Sequence, residues 1–320
     1  MFFQSINPYN GNIFSEHKVL TDKELDEKLK ISARAFKKWR NTSFDERSQK
    51  MSRVASILRD KKEILAHLIT AEMGKIISES RSEIEKSAGN CDHYAQNAEK
   101  YLSDEPLDTP FKSFTVYDPV GAVFAIMPWN FPFWQVLRYS APAIMAGNVT
   151  LLKHAPNTIG CAKAIEKVFL EAGFPEGVFQ ELTIEIPQVE RVIASDIVQG
   201  VTLTGSEFAG SSVAALAGKH IKKSVLELGG SDAFIVLDDA DLEQAAKVAS
   251  QSRMLNAGQV CISAKRFIAT EKIADQFLEI FSENIRKLKQ GNPMSEEVQI
   301  GPLARLDLAQ KLEFQIKKGI

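Results

Sequence analysis

The middle of the sequence alternates short apolar runs with stretches of helical periodicity, and this alternation is the strongest constraint on its fold. Helices are predicted near residues 135–146, 158–172, 187–195 and 207–218. The candidate strands are residues 114–117, 122–127, 149–153, 178–182, 200–203, 224–228 and 233–237. Strand–helix–strand repeats need right-handed crossovers, so we predict an α/β fold with a mostly parallel sheet that binds ligands at the carboxyl ends of its strands.

The two ends of the chain predict further elements. The first hundred residues are expected to be helical, and a second, mostly polar helix runs from about residue 76 to 101. Beyond Asp241 the pattern predicts a helix, a loop containing Cys261, a strand over 266–269 and another helix. These last elements predict a second α/β unit.

Charge and cysteine usage exclude several classes of protein. The 39 Lys and Arg residues are matched by 41 Asp and Glu residues, so the basic field of a nucleic-acid-binding protein is absent. The longest apolar stretch, residues 120–134, is shorter than the ~20 residues of a membrane-spanning helix, and we expect no secretory signal. Three cysteines without a Cys-x-x-Cys pair indicate a reducing compartment, so a cytoplasmic protein is expected. The five histidines lack ligand spacing, and no metal site is predicted.

Two side chains are candidates for a nucleophile and a base. Cys261 follows a predicted helix and Gly258, whose backbone freedom permits a turn that presents the thiol to substrate. Taken alone, Cys261 fits a small buried hydrophobic residue better. Glu227 ends an apolar strand beside two glycines, where partial desolvation would suit a general base. A salt-bridged Glu at a strand end is the alternative.

Two further segments follow candidate strands. Asn130 lies between prolines and aromatic residues, where its amide could donate to a developing oxyanion or simply satisfy a turn. Thr204, Gly205 and Ser206 precede a predicted helix, so their backbone N–H groups could hold a pyrophosphate. Ser206 acting only as a helix N-cap explains the pattern equally well, and no Gly-x-Gly-x-x-Gly fingerprint is present.

The order and spacing of these motifs resemble the NAD(P)-dependent aldehyde dehydrogenase superfamily over the whole chain. The same resemblance extends to Ile-Asn-Pro at 6–8, Glu-Met-Gly-Lys at 72–75 and Gly-Phe-Pro-Glu-Gly-Val at 173–178. Lys-His-Ala-Pro-Asn at 153–157 and Leu-Gly-Gly-Ser-Asp at 228–232 are most similar to bacterial succinate-semialdehyde dehydrogenases.

The resemblance implies a domain organisation. Residues 1–228 would form an N-terminal helical and dinucleotide-binding domain with a Rossmann-type sheet and an oligomerisation strand near 112–119. Residues 229–320 would be the first part of an incomplete α/β catalytic domain. Because family members are longer, we expect a C-terminally truncated chain, either a fragment or a shortened gene product. The full enzyme is expected to be a homodimer or homotetramer.

The resemblance also implies a mechanism. Cys261 would attack the aldehyde, Asn130 and the Cys261 N–H would hold the oxyanion, and Glu227 would activate the hydrolytic water. A CoA-acylating enzyme is disfavoured because Glu227 is present. A generic aldehyde dehydrogenase and a non-catalytic dinucleotide-binding fragment remain alternatives. The cofactor-binding residues implied are Trp129, Lys153, Thr204, Gly205, Ser206 and Leu228.

Two positions bear on substrate and cofactor choice. Arg138 lies where succinate-semialdehyde members carry an arginine for the distal carboxylate, although a surface arginine is the alternative. The second arginine of some members is Leu255 here. Pro156 replaces the Glu that often binds the ribose hydroxyls of NAD, and Lys153 and His154 lie nearby. We therefore predict that NADP is accepted as well as NAD.

Overall fold

A computed structural model describes residues 1–319. The strands are β1 (Phe2–Ile6), β2 (Ile13–Lys18), β3 (Glu105–Leu107), β4 (Ser113–Thr115), β5 (Ala122–Met127), β6 (Val149–His154), β7 (Phe179–Glu181), β8 (Val198–Thr204), β9 (Lys223–Glu227), β10 (Ala233–Val236) and β11 (Arg266–Ala269). The helices are α1 (Asp22–Trp39), α2 (Phe44–Asp60), α3 (Lys62–Met73), α4 (Ile77–Tyr101), α5 (Trp134–Met145), α6 (Ile159–Glu171), α7 (Ile186–Ala194), α8 (Glu207–Lys219), α9 (Leu242–Met254), α10 (Glu271–Arg286) and α11 (Leu306–Gly319). None of these helices combines the length and apolarity needed to cross a membrane.

Strands β5 to β9 form one five-stranded sheet in the order β7-β6-β5-β8-β9, and every neighbouring pair is parallel. Helices α5 to α8 connect the successive strands. Strand β6 is buried along its whole length, as expected for a parallel strand between two helical layers. The α/β fold with a parallel sheet is confirmed.

The carboxyl ends of β5, β6, β8 and β9 lie at one edge of this sheet. In the register of the strands Met127 lies opposite His154, and Thr204 lies opposite Glu227. Residues that follow these strands are therefore brought together although they are distant in sequence.

The described residues contain two separate hydrophobic cores. The larger core joins the parallel sheet to the N-terminal helices and includes the buried side chains of Trp39, Phe124 and Phe169. The smaller core includes Val236 and Phe277 and lies beside the parallel pair β10–β11. The second α/β unit expected after the first sheet is present.

The N-terminus differs from the sequence-based expectation, because residues 2–18 form an antiparallel hairpin of β1 and β2 where helix was expected. Ser5 and His17 are buried while their neighbours are more exposed, which is the alternation of a strand. These strands are short and mostly exposed, so their alternation is weak beside the strong helical periodicity that follows.

A second antiparallel hairpin pairs β4 with β3. The strand predicted at 114–117 is observed at Ser113–Thr115, and its partner Glu105–Leu107 was missed. Strand β3 contains Pro106, which supplies no backbone donor and therefore argues against a strand in sequence.

The carboxylate of Glu72 on α3 is fully buried and accepts hydrogen bonds from three groups. The backbone N–H groups of Gly160 and Cys161 donate to it at 2.9 and 2.8 Å, and the hydroxyl of Ser5 donates as well. Glu72 thereby caps the N-terminus of α6 and ties the β1–β2 hairpin to α3.

Cys161 and Cys91 are also fully buried, and burial raises the pKa of both thiols.

A buried ion pair between Lys75 and Glu83 links the α3–α4 turn to α5. Both side chains are almost completely buried. One oxygen of Glu83 contacts the Lys75 ammonium, and the other accepts the N–H groups of Phe133 and Trp134 at 2.8 and 3.0 Å. The Lys75 ammonium also lies 3.7 Å from the ring centroid of Phe131. Glu83 therefore satisfies a buried cation and the N-terminus of α5 together.

Replacing Glu83 is expected to be strongly destabilising. Glu83→Ala leaves Lys75 buried without its counter-ion, which costs about 3–5 kcal/mol of unfolding free energy. The control is Glu85→Ala, which removes exposed ion pairs from the same helix and is expected to cost about 0–1 kcal/mol. Urea denaturation followed by circular dichroism measures both, and equal losses would contradict the assignment.

His154 at the end of β6 is buried and neutral. Its Nε2 donates to the carbonyl of Pro132 at 3.0 Å, and its Nδ1 accepts from the N–H of Ala155 and the hydroxyl of Thr158, each at 2.8 Å. Burial lowers the pKa of His154 to about 4. The ring thus joins the loop after β5 to the turn after β6 and carries no charge at neutral pH.

This burial predicts a pH dependence of stability. Between about pH 6.5 and pH 4 the unfolded chain protonates His154 while the folded chain does not, so stability is lost as the pH falls. The loss from this one group reaches about 3 kcal/mol by pH 4. We expect His154→Gln to flatten the pH dependence of the unfolding free energy over this range, whereas the exposed-site control His67→Gln leaves it unchanged.

Candidate active site

The thiol of Cys261 lies on a loop that begins with a left-handed turn. Helix α9 ends at Met254, and Asn256, Ala257 and Gly258 follow with φ values of 52°, 52° and 78°. Left-handed backbone is costly for residues other than glycine, and such strain is concentrated at functional sites. The predicted turn beside Gly258 is present, and Cys261 is partly buried at its end.

Two cations hold the loop in this shape. The guanidinium of Arg253 donates to the carbonyl of Ala264 at 3.0 Å and to the carbonyl of Gly258. The Lys265 ammonium donates to the carbonyl of Cys261 at 2.8 Å. The loop is therefore closed by bonds to its own backbone carbonyls.

Asn130 and the Cys261 loop are brought together. The side-chain N–H of Asn130 donates to the carbonyl of Gln259 at 2.9 Å, and the side chain of Asn256 donates to the carbonyl of Asn130 at 2.8 Å. One further N–H of the Asn130 amide makes no bond within residues 1–319. Asn130 thus has a free donor beside the loop that carries Cys261.

A cavity of about 350 Å³ opens on one side of Cys261. Arg138 and Trp134, one turn apart on α5, line it together with the face of α4. Leu255, at the position of the arginine found in some resembling enzymes, contributes an apolar side chain. The other lining residues are Ser78, Glu79, Ser82, Glu83, Lys86, Phe131, Gln135, Val260 and Ile262.

The contribution of α4 to this cavity was not predicted from the sequence. The Lys86 ammonium lies 3.9 Å from the ring centroid of Trp134, and no carboxylate within residues 1–319 is within 4.0 Å of it. Glu79, Glu83 and Lys86 are spaced as neighbours on one helical face. That spacing is visible in the sequence. Because α4 is polar over nearly its whole length, however, the sequence does not indicate which of its faces points inward.

Glu227 at the end of β9 differs from its expected environment. Its side chain is 59% exposed, so the predicted desolvation is absent. Strand β9 is at the edge of the sheet, and the two glycines after Glu227 are exposed too. A carboxylate oxygen of Glu227 lies 3.9 Å from a guanidinium nitrogen of Arg138, which is the salt-bridged alternative.

A second cavity of about 660 Å³ lies on another side of Cys261. Trp129 and Asn130 line it, and so does Lys265. Leu308 and Leu312 of α11 line it as well. Cys261 lines both cavities.

Lys153 is a cation in β6, directly before the last residue of the strand. It is buried, and no hydrogen bond or ion pair to its ammonium is found in the described chain. Burial lowers the pKa of Lys153, and the charge of Glu181 opposes this. His154 was expected to favour a phosphate, but its ring nitrogens are used internally and the ring is neutral. His154 therefore offers no charge to a 2′-phosphate at neutral pH.

Thr204 ends β8, and Gly205 and Ser206 connect it to α8. The hydroxyl of Ser206 accepts a hydrogen bond from the N–H of Ala209 at 3.2 Å. Ser206 is therefore the N-cap of α8, which was the alternative to a pyrophosphate-binding role. A Cβ on Gly205 would meet only Leu203, at 3.5 Å, so internal packing does not demand glycine there. The backbone N–H of Gly205 donates to the carbonyl of Glu227 at 2.9 Å, so this donor is not free to bind a phosphate.

Leu228 has a packing contact of its own. A Cβ on Gly210 would lie 2.6 Å from the Leu228 side chain, so this leucine packs α8 closely against the end of β9.

Among residues 1–319, no group of three or more His, Cys, Asp or Glu side chains is arranged to hold a metal.

The chain is similar to known proteins over its whole length. The family model described as "Aldehyde dehydrogenase family" matches residues 1–320. A "probable succinate-semialdehyde dehydrogenase" of Synechocystis, designated NADP(+)-dependent, is 46% identical, and the match covers 100% of this chain and 71% of the relative. The NAD(P)+ succinate semialdehyde dehydrogenase of Escherichia coli is 45% identical over 99% of this chain and 69% of the relative.

Solved structures give the same result. Succinic semialdehyde dehydrogenase from Streptococcus pyogenes, in complex with NADP+, superposes with a TM-score of 0.97 at 40% identity. The match covers 98% of this chain and 70% of that chain. The chain described here therefore belongs to the aldehyde dehydrogenase family of NAD(P)-dependent oxidoreductases.

Proposed function

We propose that this chain oxidises succinic semialdehyde to succinate with NAD(P)+ and that it accepts NADP+. The observation that carries the proposal is the cavity shared by Cys261 and Arg138, which offers a nucleophile and a carboxylate-binding group to one small molecule. The relatives named above bear this activity in their names. The substrate has an aldehyde at one end and a carboxylate at the other, which matches these two groups.

The first chemical step belongs to Cys261 and Asn130. The Cys261 thiolate attacks the aldehyde carbon and forms a thiohemiacetal, whose oxyanion accepts hydrogen bonds from the free Asn130 amide N–H and the Cys261 backbone N–H. The Gln259 carbonyl orients the Asn130 amide through the other N–H of that group. Cys261 and Asn130 therefore act as one unit.

The second step leaves a thioester on Cys261, and water then releases succinate. The bound nicotinamide supplies the acceptor for the hydride that leaves the former aldehyde carbon. Glu227 takes a proton from the hydrolytic water, and the Cys261 thiolate is the leaving group. Glu227 must turn away from Arg138 to do so, and its exposed side chain at the strand end is free to rotate.

The distal carboxylate would bind to Arg138, with Lys86 as a second cation. A guanidinium can donate two parallel hydrogen bonds to a carboxylate, whereas the Lys86 ammonium adds a point charge held over Trp134. For the cofactor, Lys153 would hold the adenosine ribose and attract a 2′-phosphate. Gly205 and Ser206 would lie beside the pyrophosphate, with Trp129 and Leu228 lining the same site.

We propose the remaining architecture on the same basis. The N-terminal and dinucleotide-binding domain would span residues 1–228, and the catalytic domain would begin at 229. The segment around β3 and β4 would join subunits of a homo-oligomer, because Phe111, Phe114, Val116 and Val120 are apolar and exposed.

Two substitutions separate the chemical steps. We expect Cys261→Ala to lower the rate of NADPH formation from succinic semialdehyde by roughly 1,000-fold or more, because the nucleophile is lost. Glu227→Gln should retain a rapid burst of about one NADPH per subunit, followed by turnover slowed about 100-fold. Absorbance at 340 nm in a stopped-flow instrument measures both phases, and Glu243→Gln on the exposed face of α9 serves as the control.

The outcomes discriminate between the alternatives. Persistent turnover by Cys261→Ala would refute the assigned nucleophile, and a missing burst in Glu227→Gln would refute the assigned base. NADP+ binding by the unaltered chain without any turnover would favour a non-catalytic dinucleotide-binding fragment.

Substrate recognition is tested by replacing each of the two cavity cations, Arg138 and Lys86, with methionine. We expect Arg138→Met to raise KM for succinic semialdehyde roughly 10- to 100-fold and Lys86→Met to raise it about 3- to 10-fold, because each loses an interaction with the carboxylate. KM for butanal, which has no carboxylate, should change less than about threefold. Lys100→Met, an exposed replacement on the same helix as Lys86, should change neither. Equal effects on both aldehydes would favour a generic aldehyde dehydrogenase.

A further inference from the structure

Glu79 is a partly buried carboxylate that touches the Cys261 loop from another part of the chain. It lies in the first turn of α4 and lines the same cavity as Cys261. Its Oε1 accepts the backbone N–H of Asn256 at 3.0 Å. The mechanism given above uses no group on α4 for the chemical step, so this contact has no role yet.

Asn256 is the residue on which the geometry of the loop depends. It begins the left-handed turn before Cys261, and its backbone N–H has Glu79 as its acceptor. Its side-chain N–H groups donate to the carbonyl of Asn130 at 2.8 Å and more weakly to the carbonyl of Gln259 at 3.4 Å. One residue thus connects α4, the nucleophile loop and the oxyanion donor.

The turn needs an external support. Two successive non-glycine residues, Asn256 and Ala257, have φ of 52°, and such a conformation costs of order 1–3 kcal/mol per residue. Strain of this size persists only when surrounding contacts determine the conformation. Two contacts hold the first residue of the turn from outside the loop: the Asn130 carbonyl accepts from its side chain, and the Glu79 carboxylate accepts from its backbone N–H.

We propose that Glu79 is a positioning residue, which holds the strained Asn256–Gly258 turn so that the Cys261 thiol and the Asn130 amide face the same substrate carbon. The kinetic test of this inference rests on the proposed function. The hydrogen bonds and the left-handed turn on which it is built do not depend on that function. Glu79 acts through Asn256 and touches no reacting atom.

The surroundings of Glu79 agree with this role. No cation within residues 1–319 forms a salt bridge with it, and desolvation raises its pKa, while the nearby charge of Lys75 lowers it and that of Glu83 raises it. Placing a carboxylate here is costly unless it makes a hydrogen bond that the site needs. The need is for an acceptor, so a neutral amide at this position should serve nearly as well.

The test compares Glu79→Gln with Glu79→Met. Glutamine keeps an acceptor at the same place, and methionine keeps the length and apolar volume but loses the acceptor. We expect Glu79→Met to lower kcat for succinic semialdehyde roughly 10- to 100-fold, with KM changed less than about threefold. Glu79→Gln should retain kcat within about threefold. Glu85→Gln, on the outer face of α4, is the matched control.

A second readout does not need turnover. Cys91 and Cys161 are buried, so the thiol that reacts rapidly with iodoacetamide is Cys261. We expect the alkylation rate of Cys261 to change at least about threefold in Glu79→Met and to stay at the wild-type value in Glu79→Gln. Circular dichroism establishes that each variant is folded.

Several results would overturn the proposal. Wild-type kcat and alkylation in Glu79→Met would remove the positioning role. An equal loss in Glu79→Gln would assign the effect to charge instead of to the acceptor. A raised KM with unchanged kcat would make Glu79 a substrate contact. Absence of turnover in the wild-type chain would count against the proposed function alone, because the alkylation rates still test Glu79.

Discussion

Three carboxylates on α3 and α4 hold much of this molecule together by accepting backbone N–H groups from distant segments. Glu72 accepts those at the start of α6, Glu83 accepts those at the start of α5, and Glu79 accepts the one at the start of the Cys261 turn. A helix N-terminus has unsatisfied donors and a partial positive charge, so a buried carboxylate there is favourable. The N-terminal helices thus set the positions of α5, α6 and the nucleophile loop.

The parallel sheet supplies the second constraint. Its register brings the ends of β5, β6, β8 and β9 to one edge, and the side chains assigned to cofactor and substrate follow those ends. Helix α5 then carries Arg138 from the end of β5 into the cavity, where it meets Glu227 from the end of β9. In the proposed mechanism, recognition of the carboxylate and activation of water therefore draw on the same edge of the sheet.

Cys261 borders two cavities, and this position is what the proposed chemistry requires. One cavity carries the cations Arg138 and Lys86, and the other carries Trp129 and Asn130 beside the carboxyl edge. In the proposed mechanism the aldehyde would reach Cys261 from the first cavity, and the hydride would leave the former aldehyde carbon on the side of the second. The left-handed turn held by Glu79 is the support that keeps the thiol there.

The sequence by itself determined the parallel sheet, its helical connections and the family, because hydrophobic periodicity and motif order are local properties of the chain. Only the tertiary structure decided which groups meet. Glu227 proved exposed and paired with Arg138, His154 proved neutral and internally bonded, and the inward face of α4 proved to line the cavity. Burial and hydrogen-bond partners depend on what packs above a residue. A polar helix such as α4 therefore carries no sign in its own sequence of which carboxylate will receive a distant N–H.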